Sequence, residues 1–142
     1  MTERKDIRSM TLEELTEDIA ALGLPKFRAG QIYSWLHQKY VASFSDMTNL
    51  SKDLRASLEE QYEIFDAKTV LKRTSAIDGT VKYLYELNDG NTVETVLMKY
   101  KYGYSICISS QIGCDMGCSF CASTIDGCAR SLRPSEMLAQ IY

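Results

Sequence analysis

No stretch of this 142-residue chain approaches the ~20 consecutive apolar residues that a membrane-spanning helix needs. Its first eight residues, Met1–Arg8, are charged where a secretory leader would be apolar. A cytoplasmic location without a membrane partner is therefore expected. Basic charge is not in excess either: 16 Lys and Arg stand against 19 Asp and Glu, a net charge of −3. That excludes a globally basic nucleic-acid binder and leaves local patches to consider. Histidine is almost missing. His37 stands alone, beside Trp35, and reads as a surface or boundary residue rather than a ligand. Cysteine is absent until position 107, after which Cys107, Cys114, Cys118, Cys121 and Cys128 follow within the last 36 positions. An odd, clustered set in a chain without a secretion signal argues for metal or redox chemistry, not a disulfide framework.

What is present suits a globular protein, with 45% hydrophobic and 25% charged residues and a length of about one domain. The charge is uneven. Between Pro25 and Phe44 lie Lys26, Arg28 and Lys39 and no acid, and Lys68, Lys72 and Arg73 form a second cluster. Solvated helix and strand faces explain such clusters.

Hydrophobic period divides the chain into three parts and predicts an α+β fold. In residues 1–64, Leu12, Leu15, Ile19 and Leu22 recur at helical spacing behind a Thr11–Glu14 capping box, and Gly23 and Pro25 end that helix. A second helix is expected over 28–39, with Ile32, Trp35 and Leu36 on one face. A third is expected over 52–62, capped by Ser51 and carrying Leu54, Leu58 and Tyr62. Residues 65–103 read as a β-meander: Val81, Tyr83, Tyr85 and Leu87 alternate with Lys82, Leu84 and Glu86, and Asp78-Gly79 and Asp89-Gly90 supply hairpin turns. Residues 104–142 read as strand, loop and helix, with Tyr104–Ser110 entering the cysteine loop and Pro134 and Glu136 opening the helix. One strand-loop-helix unit cannot bury its own faces. The last helix also reaches Tyr142 uncapped, so the sequence is expected to be part of a longer protein.

The densest chemical signal is Cys114-Asp115-Met116-Gly117-Cys118-Ser119-Phe120-Cys121. Its C-x3-C-x2-C spacing offers three thiolates, one fewer than closed zinc sites and electron-transfer clusters use. Two readings follow: an iron–sulfur cluster with one open iron, or a zinc knuckle completed by Cys107 or Cys128. The spacing, with an aromatic residue before the last cysteine, resembles the cluster loop of radical S-adenosylmethionine (SAM) enzymes.

The flanks make the resemblance specific. Val93-Glu94-Thr95-Val96, Cys107-Ile108-Ser109-Ser110-Gln111-Ile112-Gly113-Cys114 and Cys118-Ser119-Phe120-Cys121-Ala122-Ser123-Thr124 closely resemble the RlmN family of dual-specificity radical SAM RNA methyltransferases. So do Lys26-Phe27-Arg28-Ala29-Gly30-Gln31-Ile32-Tyr33-Ser34-Trp35-Leu36 and Met47-Thr48-Asn49-Leu50-Ser51-Lys52. The resemblance implies a small N-terminal helical RNA-binding domain, a β accessory region and the first strand-loop-helix unit of a partial α/β barrel. It implies methylation of carbon 2 of adenine 2503 in 23S rRNA and of adenine 37 in tRNAs, by way of a methyl-cysteine. The implied cofactors are a 4Fe-4S cluster on Cys114, Cys118 and Cys121 and SAM on its open iron. The implied partners are 23S rRNA, tRNA and an electron donor such as flavodoxin, and the full-length enzyme is expected to be a monomer. By the same resemblance, Cys107 is the resolving thiol, forming a transient disulfide with a cysteine beyond Tyr142. Glu94 is the proton acceptor. On its own pattern Glu94 shares a strand face with Val96 and Met98, so an inward carboxylate with a raised pKa is expected.

Cys128 has no role to carry over and departs from the family pattern; packing is its expected role. Gln111 and Asp115 are expected to scaffold the loop. Two other functions compete: a Cfr-type enzyme acting on carbon 8 of the same rRNA adenine, and a non-catalytic RNA-binding module stabilised by zinc or a cluster.

Overall fold

A computed structural model describes residues 4–142. The chain forms two compact units, the first ending at Asp66 and the second running from Ala67 to Tyr142.

In the first unit, Lys5–Asp6 (β1) precedes three helices, Leu12–Ala21 (α1), Phe27–His37 (α2) and Lys52–Gln61 (α3), and Tyr62–Glu63 (β2) pairs parallel with β1. The helices start where their caps put them. Thr11 Oγ1 accepts from the Glu14 amide while Glu14 Oε2 accepts from the Thr11 amide at 2.8 Å, satisfying two amides that have no partner inside the helix. Ser51 caps α3 by accepting from the Leu54 amide. The apolar stripes then meet. Leu15 and Ile19 of α1, Ala29, Ile32 and Leu36 of α2 and Leu58 of α3 bury together with Ile7, Phe44, Met47, Leu50 and Tyr62. Trp35 stays at the edge of this core and donates from Nε1 to Asn49.

Among the described residues of this unit one charge is buried. The Arg8 guanidinium, 2% exposed, donates to the carbonyls of Phe65 at 2.6 Å and Val41 at 2.8 Å, so the cation is held by backbone dipoles. His37 is half-buried against the Tyr33 ring, and burial followed by the Arg8 charge lowers its pKa. It is the boundary residue expected of it. Burial, then Asp18, pushes the Tyr62 hydroxyl up to about 12; that hydroxyl donates to Asp18 at 3.1 Å.

The second unit is built on a four-stranded antiparallel meander, Lys68–Thr74 (β3), Val81–Glu86 (β4), Thr92–Tyr100 (β5) and Gly103–Cys107 (β6), in sequence order. Both Asp-Gly turns form as expected, Gly79 at φ 73° and Gly90 at φ 80°, each preceded by an aspartate that accepts from the amide two residues on. Register defines two faces. One carries Tyr83, Tyr85, Val93 and Thr95 and turns inward, with Val93 and Thr95 buried. The other carries Arg73, Lys82, Leu84, Glu94, Val96, Met98 and Cys107.

The strand expected to open a barrel pairs antiparallel with β5 at the end of the meander, with Cys107 opposite Val96. The short link at Lys101-Tyr102 explains this, because a two-residue turn can only fold a strand back on its neighbour. A two-stranded ladder, Gln111–Gly113 (β7) with Cys128–Ser131 (β8), and the short helix Pro134–Leu138 (α4) complete the unit. No helix among the described residues is long and apolar enough to cross a membrane.

Candidate functional site around the cysteine loop

The loop that carries Cys114, Cys118 and Cys121 leaves the sheet at β7 and returns at β8, and its neck is pinned by backbone. The Cys114 amide donates to the Gly127 carbonyl at 3.0 Å, and the Cys128 amide donates to Asp115 Oδ1 at 2.7 Å. Gly113, at φ 75°, comes so close to this carbonyl that a Cβ placed on it would lie 1.9 Å from the Gly127 oxygen. Only glycine fits there. Asp115 is thus loop scaffolding, as expected, and Cys128 enters the ladder opposite Gly113.

Inside the neck the loop is held by its own polar groups. The Cys121 amide donates to the Cys118 carbonyl at 3.1 Å, and Thr124 Oγ1 donates to the carbonyls of Cys121 and Cys118 at 2.9 and 3.3 Å. The Met116 amide points at Cys114 Sγ, 3.5 Å away. Amide hydrogens directed at sulfur tune thiolate ligands. All five thiols are free; those of the loop and of Cys128 are half-exposed.

Among the described residues no group of three or more His, Cys, Asp or Glu side chains is gathered closely enough to hold a metal ion. The expected donor set therefore sits on one pinned loop without being drawn together. In kind it fits a cluster: three free thiols on eight consecutive residues, with an amide already directed at one sulfur. Metal sites commonly complete themselves only as the metal binds.

Cys107 is exposed at the outer strand of the meander. Its cross-strand partner Val96 is two residues from Glu94, so Glu94 and Cys107 are diagonal neighbours on one sheet face, on the order of 7–8 Å apart at the backbone. The expectation of an inward carboxylate is corrected here. Glu94 lies half-exposed and accepts from Lys82 Nζ at 2.6 Å, across strands β4 and β5. The apolar alternation was real, but the enclosed face is the one bearing Val93 and Thr95. Leu71, Arg73, Lys82, Tyr83, Leu84 and Glu94 line a cavity of about 170 Å3 here.

Two polar hubs brace this region and went unread in the sequence. Arg130 on β8 donates from Nη1 and Nη2 to Glu136, both at 2.8 Å, and from Nε and Nη2 to Asp89 of the β4–β5 turn. Burial alone would raise the Glu136 carboxyl, but the Arg130 hydrogen bonds, the Arg133 amide and the two positive charges outweigh it and hold its pKa low. The hydrogen bond with Asn91, then that from Arg130, draws Asp89 down to about 2. Gln140 satisfies its amide completely: Oε1 accepts from Thr95 Oγ1 and the Ser109 amide, and Nε2 donates to the carbonyls of Ser109 and Glu136. The segment between Cys107 and the cysteine loop is thereby tied to β5, and Ser109 Oγ donates to the Glu94 carbonyl at 2.7 Å. Neither hub leaves a periodic or short-motif signal, since its members lie up to 45 residues apart.

Comparison with known proteins agrees with this arrangement. Residues 5–64 match the family described as the ribosomal RNA large subunit methyltransferase N-terminal domain. The chain is 55% identical, over its full length, to a protein named probable dual-specificity RNA methyltransferase RlmN from Lachnoclostridium phytofermentans, covering 40% of that protein. It is 50% identical over 99% of its length to the protein of the same name from Bacillus subtilis, covering 38% of it. A crystal structure of a radical SAM methyltransferase from Sphaerobacter thermophilus superposes with a TM-score of 0.86 at 38% identity, over 96% of this chain and 40% of that one. The chain thus spans about two fifths of the length of the relatives it matches.

Proposed function

The chain belongs to the RlmN family, and from that premise we propose that it is the cluster-bearing part of a radical SAM methyltransferase acting on carbon 2 of adenine in 23S rRNA and tRNA. The observation that carries the proposal is the pinned loop with its three free thiols, set in the same unit as the face shared by Glu94 and Cys107. Cys114, Cys118 and Cys121 would hold a 4Fe-4S cluster with SAM on its open iron. When bound, that pair supplies the one-electron chemistry that an electron-poor aromatic carbon requires.

The chain's own residues supply placement. The Gly113–Gly127 pinch fixes where the loop leaves the sheet, and Asp115 holds the returning strand at Cys128. Glu94 would accept the proton from carbon 2, with Lys82 orienting its carboxylate. Cys107, exposed on the same face, would reach a second thiol to resolve a thioether by disulfide formation. The helical unit, with Lys26, Arg28 and Lys39, would contact RNA phosphates, in a cytoplasmic monomer served by an electron donor such as flavodoxin.

Anaerobic reconstitution with ferrous iron and sulfide tests this reading. About four irons and four sulfides per chain with broad visible absorbance are expected, lost when Cys114, Cys118 and Cys121 are each replaced by Ala and kept in Cys128→Ala. A single colourless zinc needing Cys128 would instead make the chain a zinc-stabilised binding module.

A further inference from the structure

The turn between β5 and β6 presents a feature that the proposed chemistry does not use. Tyr100 and Tyr102 stack with ring centroids 5.1 Å apart and planes within 7° of parallel. The inner ring is fixed, because the Tyr100 hydroxyl lies 3.4 Å from Met98 Sδ on the sheet surface. The outer ring, Tyr102, is 81% exposed. Lys101 lies between the two in the turn, and Leu97 to Ser105 contains no acid.

An exposed aromatic ring held parallel to another has one free π-face and needs no rearrangement to accept a third ring. Every nucleobase has such a face, and a stack beside lysines is how single strands are gripped without readout of sequence. An apolar protein partner would gain little from the Lys101 ammonium. A nucleic-acid strand brings a phosphate beside each base.

We propose that the Tyr100–Tyr102 stack receives an unpaired base of the RNA on the free face of Tyr102, with Lys101 against the adjoining phosphate. The idea rests on RNA being the substrate. Tyr100 lies on the same sheet face as Glu94 by alternation along β5, six residues away and so about 20 Å along the strand. The base taken by the stack is therefore another base of the same RNA, several nucleotides from the reacting adenine. The platform sets how the strand approaches.

The test is anisotropy of an end-labelled oligoadenylate titrated with the chain, without SAM, beside the same strand annealed to its complement. Tyr102→Ala and Tyr102→Leu should each weaken single-strand binding about 5- to 150-fold, the range that loss of one base–aromatic stack gives, while Tyr102→Phe binds as the parent does. Lys101→Met should lower the salt slope by about one. Wild-type affinity in Tyr102→Leu would overturn the proposal. So would equal loss of duplex binding, or a change confined to self-association of the chain, which would mark the stack as a contact between copies. Because no turnover is read, a stack that binds RNA survives even if the cysteine loop takes up zinc and the methyltransferase reading falls.

Discussion

Gly113 and Gly117 are both at positive φ, yet their surroundings differ. Around Gly117 a Cβ would meet nothing within 4 Å, so Gly117→Ala should cost only the left-handed backbone strain, about 1–2 kcal/mol. Gly113→Ala adds a collision with the Gly127 carbonyl, which is backbone and cannot swing aside. It should open the neck of the cysteine loop. Iron uptake on reconstitution is expected to fall sharply for Gly113→Ala and little for Gly117→Ala, with iron per chain as the measurement. At the same scale, Glu136 is 1% exposed and Arg130 is its nearest cation, at 2.8 Å against 3.7 Å for Arg133. Arg130→Met leaves the buried carboxylate with only the Arg133 amide at 2.7 Å and the Arg133 guanidinium at 3.7 Å, and should destabilise by up to about 3 kcal/mol, the low end for breaking a buried pair. Replacing both residues by Met should recover much of that loss in urea melts.

Among the elements, α1 is bounded by a reciprocal cap, in which the Thr11 side chain satisfies one amide and positions Glu14 for another. Thr11→Ala should cost about 1 kcal/mol. The urea midpoint should drop with the slope unchanged, since the core stripe of Leu15 and Ile19 is untouched. The strand pair β4–β5 carries the Lys82–Glu94 contact in the open, with both side chains about half exposed. An exposed pair of this kind contributes at most about 1 kcal/mol. Lys82→Met is therefore expected to leave the melting temperature nearly unchanged, so that it tests the proposed role of the Glu94 carboxylate without a loss of fold.

For the molecule as a whole, acid should act on both units, at different pH. Asp89 and Glu136 both have carboxyls held below their ordinary values of 3.8 and 4.5. Groups with depressed folded-state pKa contribute stability above the ordinary value and lose it as pH falls toward the folded one. Between about pH 4.5 and 2 the Arg130 hub should therefore weaken. His37, whose pKa is lowered from 6.5, adds a smaller loss in the first unit once pH drops below that value. Hydrogen exchange followed from pH 5 to about pH 3 should show protection of β8 and the 133–140 segment lost inside the lower part of that range, where the Arg130 hub titrates. The chain spans two fifths of the length of its relatives. We therefore expect it alone to leave adenine unmethylated in the presence of SAM and a reductant, with nucleoside mass spectrometry as the check.

What could be read without coordinates was whatever is local. The Thr11–Glu14 cap, the stripe of Ile32 and Leu36, the Asp-Gly turns and the C-x3-C-x2-C spacing each depend on residues a few positions apart. Backbone geometry alone turns such spacings into helix, hairpin or donor set. Tertiary structure decided the rest. Alternation told that Glu94 and Val93 lie on opposite faces but not which face would be covered, and the cover came from Gln140, 45 residues downstream of Thr95. Likewise nothing near Arg130 announces Asp89, because the turn that delivers it is placed by four strands of pairing. Periodicity fixes the direction of a side chain; only the packed chain supplies what it meets.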